Sequence, residues 1–310
     1  MKEYIYQDLC RIAGAAHVLR DEPMSRHTTF RVGGPAQLLV TPDGESLPEV
    51  IAYCRKKETP CLVIGNGSNL LCGDGGVDGV VVEIGKRMSG IRVEENVESA
   101  APDRTVTAET GALLSAVAAR ASAESLTGFE FAAGIPGSVG GAVVMNAGAY
   151  GGEMVDVLSE VTVLTPENEI RTIPVGELGL SYRCSVIPER GYIVLSAALR
   201  LEKGDPARIQ ARMEELKEKR VAKQPLEYPS AGSTFKRPEG YFAGKLIEDA
   251  GLRGFTVGGA QVSEKHCGFV INRGGATAAD ICSLMEQVQR TVREQFGVAL
   301  EPEVKFVGKF

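Results

Sequence analysis

The chain has 310 residues, 44% of them hydrophobic and 24% charged, with a formal net charge of −6 and a pI near 5.4. This is an ordinary balance for a globular protein with a core, and it lacks the basic character that nucleic acid or an anionic membrane surface attracts. Seven cysteines without a CxxC pair, and only His17, His27 and His266 as histidines, argue against a disulfide scaffold or a metal site.

The opening MKEYIYQDLC carries charges where a signal peptide needs an apolar run, and no stretch approaches the ~20 apolar residues of a membrane span. A soluble, cytoplasmic, monomeric protein with reduced thiols and no membrane insertion is the expectation. Residues 1–24 read as an N-terminal helical segment. Leu47, Val50, Ile51 and Cys54 follow helical spacing, and CLVIGNGSNLL (61–71) reads as a buried strand ending in a glycine loop. GVVVEIG (79–85) is a second β-branched run. Residues 91–93 and 104–108 read as strands around a charged turn, and 112–123 as an alanine-rich helix.

The stretch 128–153 holds eight glycines in 26 residues, yet its Ile, Val, Phe and Met pattern rules out a disordered linker. VLSEVTVLTPENEIRTI alternates as a hairpin around Pro166-Glu167-Asn168, and 192–201 is a strand. A composition shift near residue 202 marks a domain boundary. Residues 206–223 form a charged amphipathic helix carrying Ile209, Met213 and Leu216, ended by Pro225. The last helix starts at Thr277 with Asp280 as its capping partner, and buries Ile281, Leu284, Met285, Val288 and Val292. LEPEVKFVG closes the chain as a strand. Elements mix irregularly, as in an α+β fold, without the βαβ alternation of a doubly wound sheet.

Two glycine loops carry the chemistry. Gly65, Asn66, Gly67, Ser68 and Asn69 follow a strand and can form a nest for phosphate oxygens. The loop lacks the third glycine of a Rossmann fingerprint, and no P-loop sequence exists. Alone, a tight turn explains it equally well. Gly134, Ile135, Pro136, Gly137, Ser138, Gly140 and Gly141 form a second loop, stiffened by proline and opened by bare glycine N–H groups. Two such loops about seventy residues apart suit a dinucleotide whose pyrophosphate needs donors from two sides, although a structural glycine corner is the bland alternative.

The strings HTTFRVGGPA (27–36), IGNGSNLL (64–71), EFAAGIPGSVGGAVVMNAGAYGGE (130–153), SYRCS (181–185), SAGSTFKRPEGYFAGKLIEDAGLRG (230–254) and LEPEVKFVG (300–308) resemble, in this order, the MurB family of UDP-N-acetylenolpyruvoylglucosamine reductases. The resemblance runs from about residue 25 to the C-terminus. It implies a PCMH-type FAD-binding fold of two subdomains over 25–202, a C-terminal α/β substrate-binding subdomain over 203–300, and a strand, 301–310, returning to the active site. The 50 residues from Arg183 to Ser233 resemble the branch without the extra tyrosine-bearing substrate loop. Two positions depart from the family pattern: Glu109, where many members carry glycine, and Arg237, where asparagine is common.

The resemblance implies non-covalent FAD, NADPH as co-substrate, and reduction of UDP-N-acetylglucosamine enolpyruvate to UDP-N-acetylmuramate in peptidoglycan precursor synthesis. Hydride delivery to the β-carbon of the enol ether pushes negative charge onto the α-carbon and the carboxylate. Such chemistry needs a fixed cation, a hydrogen-bonding acid and a proton donor. Arg183, Glu303 and Ser233 occupy the matching positions, Ser233 as the donor to the α-carbon. Glu303 helps only if protonated or hydrogen-bonded, since a bare carboxylate repels the developing charge.

Tyr182, Lys223 and Lys236 are the implied substrate contacts, Lys223 for the diphosphate. Between Lys217 and Lys245 seven Lys/Arg stand against three Glu, a local excess of +4 in an acidic chain. His27 reads as structural, and the cysteines, including Cys184 beside Arg183, read as buried filler. Rival readings are an oxidase on the same scaffold and a catalytically silent nucleotide-sugar sensor. The GSTFK and LEPEV segments oppose the first, and intact Arg183, Ser233 and Glu303 oppose the second.

Overall fold

The computed structural model describes residues 2–95 and 103–310. Most of the charged turn expected after the strand at 91 falls on 96–102, outside the described residues. Helices and strands mix in an α+β fold, and the chain divides into two units. The first contains Met1–Val18, Val40–Asn66 and Val81–Arg220, and the second Leu19–Leu39, Gly67–Val80 and Val221–Phe310.

In the first unit, helix Glu3–Ala13 buries Ile5, Leu9 and Ala13 at four-residue spacing, and helix Ser46–Lys56 buries Leu47, Val50, Ile51 and Cys54. Ahead of the second helix, Ser46 donates its N–H to the Asp43 carboxylate (2.9 Å) while Asp43 donates its own to the Ser46 hydroxyl (3.1 Å). The Ser46 hydroxyl, donating to the same carboxylate at 2.6 Å, and then the Ser46 N–H hold the Asp43 carboxyl below the usual carboxylate range. The two helices are tied by Tyr53, whose hydroxyl donates to Asp8 at 2.6 Å.

The centre of the first unit is an antiparallel sheet in the spatial order Ile170–Pro174, Leu158–Leu164, Ile193–Lys203, Asp103–Glu109, Ile91–Glu95. The expected hairpin turns at Asn168, whose φ of 65° is tolerated by its side chain, and whose N–H donates to the Thr165 carbonyl. Inward residues Val106, Ala108, Val161, Val163, Ala197, Leu199 and Leu201 pack with helices Leu114–Ala123 and Val139–Met145 in one core cluster. Fully buried leucines there, such as Leu114 and Leu199, contribute about 1.5–3 kcal/mol each. Sequence periodicity did not show the second of these helices, because glycines interrupt its apolar pattern.

The second unit is organised by helix Ala278–Phe296. Thr277 and Asp280 form the expected reciprocal capping box, Gly297 ends the helix in the left-handed region, and all five expected apolar residues are buried. The Asp74 carboxylate adds a second cap, accepting the N–H groups of Ala278 (2.8 Å) and Ala279 (3.0 Å). The helix covers the three-stranded antiparallel sheet of Thr256–Val257, Ala260–Val262 and Val270–Asn272, with helix Ala243–Asp249 sharing its core.

The closing strand is shorter than its sequence suggests. Lys305–Val307 forms a strand parallel to Leu70–Cys72, while the LEPEV part makes only an isolated antiparallel bridge, Pro302 opposite Phe235. Among the described residues no helix is long and apolar enough to cross a membrane, and no group of three or more His, Cys, Asp or Glu could hold a metal ion.

Candidate functional site

The two glycine loops, distant in sequence, meet in the first unit. Strand Cys61–Ile64 delivers Gly65 and Asn66. The Asn66 amide donates to the Pro136 carbonyl at 2.6 Å, and a Cβ on Gly65 would lie 2.3 Å from the Ser138 hydroxyl oxygen. The second loop is pinned from below: Leu114 donates to the Gly137 carbonyl (3.0 Å), Val139 to Ala112 (2.8 Å) and Gly140 to Thr110 (2.9 Å). A Cβ on Gly140 would meet the Thr110 hydroxyl at 2.0 Å, so Gly65 and Gly140 are glycines because two segments approach too closely for any side chain. Among the described residues nothing accepts the N–H of Ser138 or Gly141. Gly134 is exposed, and Ile135 and Pro136 lead from it to the buried Gly137.

In the second unit, Gly67 continues the first loop at φ 60°, and its carbonyl accepts the Thr29 N–H at 3.2 Å. The Thr29 hydroxyl is buried without a hydrogen-bond partner among the described residues. An orphaned hydroxyl of this kind costs about 1–3 kcal/mol unless a ligand satisfies it. Ser68 is half-buried, whereas Asn69 turns its amide to the Glu303 carbonyl at 3.1 Å. Unclaimed N–H groups and a serine hydroxyl in the first unit fit the phosphates of a nucleotide such as FAD. His27 stands 3.2 Å from Glu22, a structural setting for the HTTF entry motif.

Sequence reading passed over Arg220, which faces the second loop. Its Nη1 and Cδ lie 3.0 Å from where a Cβ on Gly134 would be. Burial pushes its guanidinium below the usual arginine value, and among the described residues no carboxylate pairs with it. Its position four residues beyond the buried Leu216, on the apolar face of helix Pro206–Lys223, was the available signal.

Tyr182 and Arg183 form the tip of a tight turn in the first unit, closed by paired backbone bonds between Ser181 and Cys184 (3.2 and 3.1 Å). Arg183 takes the left-handed conformation (φ 55°), donates to the Gly148 carbonyl at 3.3 Å, and holds its guanidinium 5.1 Å from the Tyr182 ring centroid. A buried asparagine carries this turn. Asn146, wholly without solvent exposure, sits left-handed at the end of helix Val139–Met145. Its amide nitrogen donates to the Ser181 carbonyl (3.2 Å) and the Glu153 carboxylate (2.9 Å), and its oxygen accepts the Val155 N–H (3.0 Å). Ser185 adds a bond to the Val144 carbonyl at 2.8 Å.

Ser233 and Glu303 belong to the second unit, where two segments pair. Glu303 donates its N–H to the Thr234 carbonyl (2.8 Å), Lys236 donates to the Glu301 carbonyl (2.9 Å), and Phe235 faces Pro302. Ser233 is exposed, directly after Gly232 at φ 75°. Buried Thr234 fixes the turn by donating its N–H to Gly268 (2.8 Å) and accepting the Val270 N–H on its hydroxyl (2.9 Å).

The remaining substrate candidates differ in their surroundings. Lys236 is ion-paired with Glu301 at 3.0 Å. Lys223 is exposed, and the amide oxygen of neighbouring Gln224 is buried without a partner among the described residues. Burial, helped by the Lys223 charge, pushes the His266 imidazole below its usual value. Of the two departures from the family pattern, Glu109 accepts the Gly90 N–H at 2.6 Å, and Arg237 lies 4.1 Å above the Phe242 ring. The cysteines are not uniformly buried filler: Cys184 and Cys61 are exposed, and Cys10 and Cys282 are half-buried. Cys184 surfaces because the turn that presents Arg183 projects outward from its Asn146 anchor.

A domain model described as "UDP-N-acetylenolpyruvoylglucosamine reductase, C-terminal domain" matches residues 224–307, and one described as "FAD binding domain" matches 35–174. The chain is similar to the UDP-N-acetylenolpyruvoylglucosamine reductase of Agathobacter rectalis, 60% identical over 297 residues that cover 94% of this chain and 95% of the relative. It is 53% identical to that of Lachnoclostridium phytofermentans over 310 residues, covering 100% and 99%. Among solved structures, UDP-N-acetylenolpyruvylglucosamine reductase (MurB) from Thermus caldophilus superposes with a TM-score of 0.77 at 35% identity, covering 94% of this chain and 98% of that one.

Proposed function

Given that the chain belongs to the UDP-N-acetylenolpyruvoylglucosamine reductase family, we propose that it reduces UDP-N-acetylglucosamine enolpyruvate to UDP-N-acetylmuramate with NADPH. It is an FAD-dependent oxidoreductase. When bound, FAD would supply the two-electron redox chemistry that links NADPH to the enol ether. In the first unit, Ser138, Gly141, Asn66 and Arg220 are the groups that would hold its anionic part.

The chain's own task is to stabilise and protonate an enediolate-like species. Arg183 is proposed to fork onto the substrate carboxylate, with a cation that stays charged throughout. Glu303, as a hydrogen-bonding acid, shares that charge. Ser233 gives its hydroxyl proton to the α-carbon. A serine is a weak acid, but the carbanion is a far stronger base, and positioning supplies the rest. Tyr182, Lys223 and Lys236 are proposed to contact the substrate, with Lys223 on its diphosphate. Domain bounds at 25–202, 203–300 and 301–310, a cytoplasmic setting and a monomeric chain belong to the same proposal.

The observation that supports this reading is the bond from the Glu303 N–H to the Thr234 carbonyl, which sets Glu303 opposite the residue that follows Ser233. Rapid mixing tests it. Flavin bleached by NADPH should regain its colour quickly on addition of the enolpyruvyl nucleotide and slowly in air alone. Equal rates in the two arms would instead point to an oxidase.

A further inference from the structure

One side chain stands behind the backbone bonds of the Ser233 turn. Thr234, next to Ser233, donates its N–H to the Gly268 carbonyl at 2.8 Å, and Gly268 donates its own N–H to Nδ1 of His266 at 3.1 Å. Gly268 is therefore a link with one polar bond on each side, and His266 holds its far end.

The imidazole is fixed by its surroundings. Buried Ser263 accepts the N–H groups of Lys265 and His266 on its hydroxyl, both at 3.2 Å, and Phe269 donates to the His266 carbonyl at 2.9 Å. The Phe269 ring stands edge-on to the imidazole, with 5.0 Å between centroids. A Cβ on Gly268 would lie 2.9 Å from the ring's Cε1, and one on Gly244 would lie 3.3 Å from the same atom. The ring thus rests on backbone that has no side chain to give way. A backbone N–H can only donate, so Nδ1 is the bare nitrogen and the neutral ring carries its hydrogen on Nε2.

We propose that His266 is a positioning residue for the proton donor: its bare Nδ1 holds Gly268, Gly268 holds Thr234, and Thr234 sets the Ser233 hydroxyl for transfer to the substrate carbon. This rests on the reading of Ser233 as that donor. Histidine differs from a fixed acceptor in one respect, since protonation turns Nδ1 into a donor. An imidazolium would then meet the Gly268 N–H donor to donor, and the link would open. Burial holds the imidazole below its usual value, and the Lys223 cation adds to the effect. Other charges on the neighbouring segments are engaged elsewhere: Lys265 with Glu227 at 3.9 Å, Lys236 with Glu301 at 3.0 Å, Glu248 with Arg253 at 2.6 Å, and Lys245 with Asp249. Glu264 lies against Gly254, and burial pushes the Cys267 thiol up. The link is closed at neutral pH and opens as the pH falls below 6.5, toward the ring's lowered folded value.

The test uses flavin-loaded protein. Nitrogen NMR of the wild type at neutral pH should show Nδ1 as the bare ring nitrogen, a readout independent of any role for Ser233. In stopped flow, His266→Leu should bleach with NADPH at nearly the wild-type rate but regain colour with the enolpyruvyl nucleotide about 10- to 100-fold more slowly. His266→Asn offers Oδ1 as an acceptor that does not titrate. It should recover most of the lost rate at neutral pH and lose the acid inflection that the wild type shows below pH 6.5. A hydrogen on Nδ1, an inflection unchanged in His266→Asn, or an unslowed His266→Leu beside a slowed Ser233→Ala would each overturn the positioning role. An unslowed Ser233→Ala would instead remove the reading beneath it.

Discussion

Arg183 and Ser233 both sit on exposed turns, yet the two turns are held by different means. The Arg183 turn hangs on side chains: Asn146 alone bonds Ser181, Glu153 and Val155 from a fully buried position. The Ser233 turn is held chiefly by backbone, through the Thr234–Gly268, Thr234–Glu303 and Lys236–Glu301 bonds, with one added bond from the Thr234 hydroxyl. A backbone strip survives most substitutions, because every residue type except proline brings the same N–H and C=O. A side-chain hub does not. The fixed cation therefore leans on the Asn146 and Ser185 side chains besides its own backbone bonds, and the proton donor chiefly on backbone.

Substitution should expose this asymmetry. Asn146→Ala removes three bonds and leaves an alanine in the left-handed region. It should cost about 2–4 kcal/mol in a denaturant melt. Activity should fall further than the lost stability explains, and an Asn146→Asp variant should not restore it, since a carboxylate cannot donate to the Ser181 carbonyl. Thr234→Val keeps its shape and backbone but leaves the Val270 N–H unpaired, and should cost about 1–2 kcal/mol. Equal losses in the two variants would break the distinction between hub and strip.

Smaller effects sharpen the comparison. Lys236→Met removes an exposed ion pair from the backbone strip and should change stability by no more than about 1 kcal/mol. Any large loss of substrate affinity in that variant would then belong to the ligand and not to the fold. His266, in the same unit, is pushed below its usual value, so the folded state binds its proton less readily than the unfolded chain does. Its contribution is whole above pH 6.5 and is lost as the pH falls below that value, toward its lowered folded pKa. A His266→Gln variant should show a flatter acid limb in a stability–pH profile.

Much of this was legible from sequence, and where it failed the reasons are physical. Helical spacing found Ser46–Lys56 and Ala278–Phe296, and the Thr277–Asp280 pair marked where the latter begins, because caps and periodicity are local. Glycine loops with donor side chains were recognisable one at a time. That Asn66 would reach the Pro136 carbonyl is a tertiary fact with no local signature. Asn146 looked like one more residue in a glycine-rich run, since a left-handed helix cap becomes visible only when the chain beyond it folds back. Arg220 was hidden among exposed lysines although its register with Leu216 placed it on the buried face. Cys184 and Cys61 were misjudged because cysteine is usually buried and short turns override that tendency.

The central claim is that the Ser233 hydroxyl delivers the proton that completes the reduction. Ser233→Ala, followed in two separate half-reactions by stopped flow, addresses it directly. Bleaching of the flavin by NADPH should proceed at nearly the wild-type rate, while recovery of colour with the enolpyruvyl nucleotide should slow by roughly 10²–10⁴-fold. Equal slowing of both halves, or no slowing of the second, would contradict the claim and leave Ser233 as a residue of the turn alone.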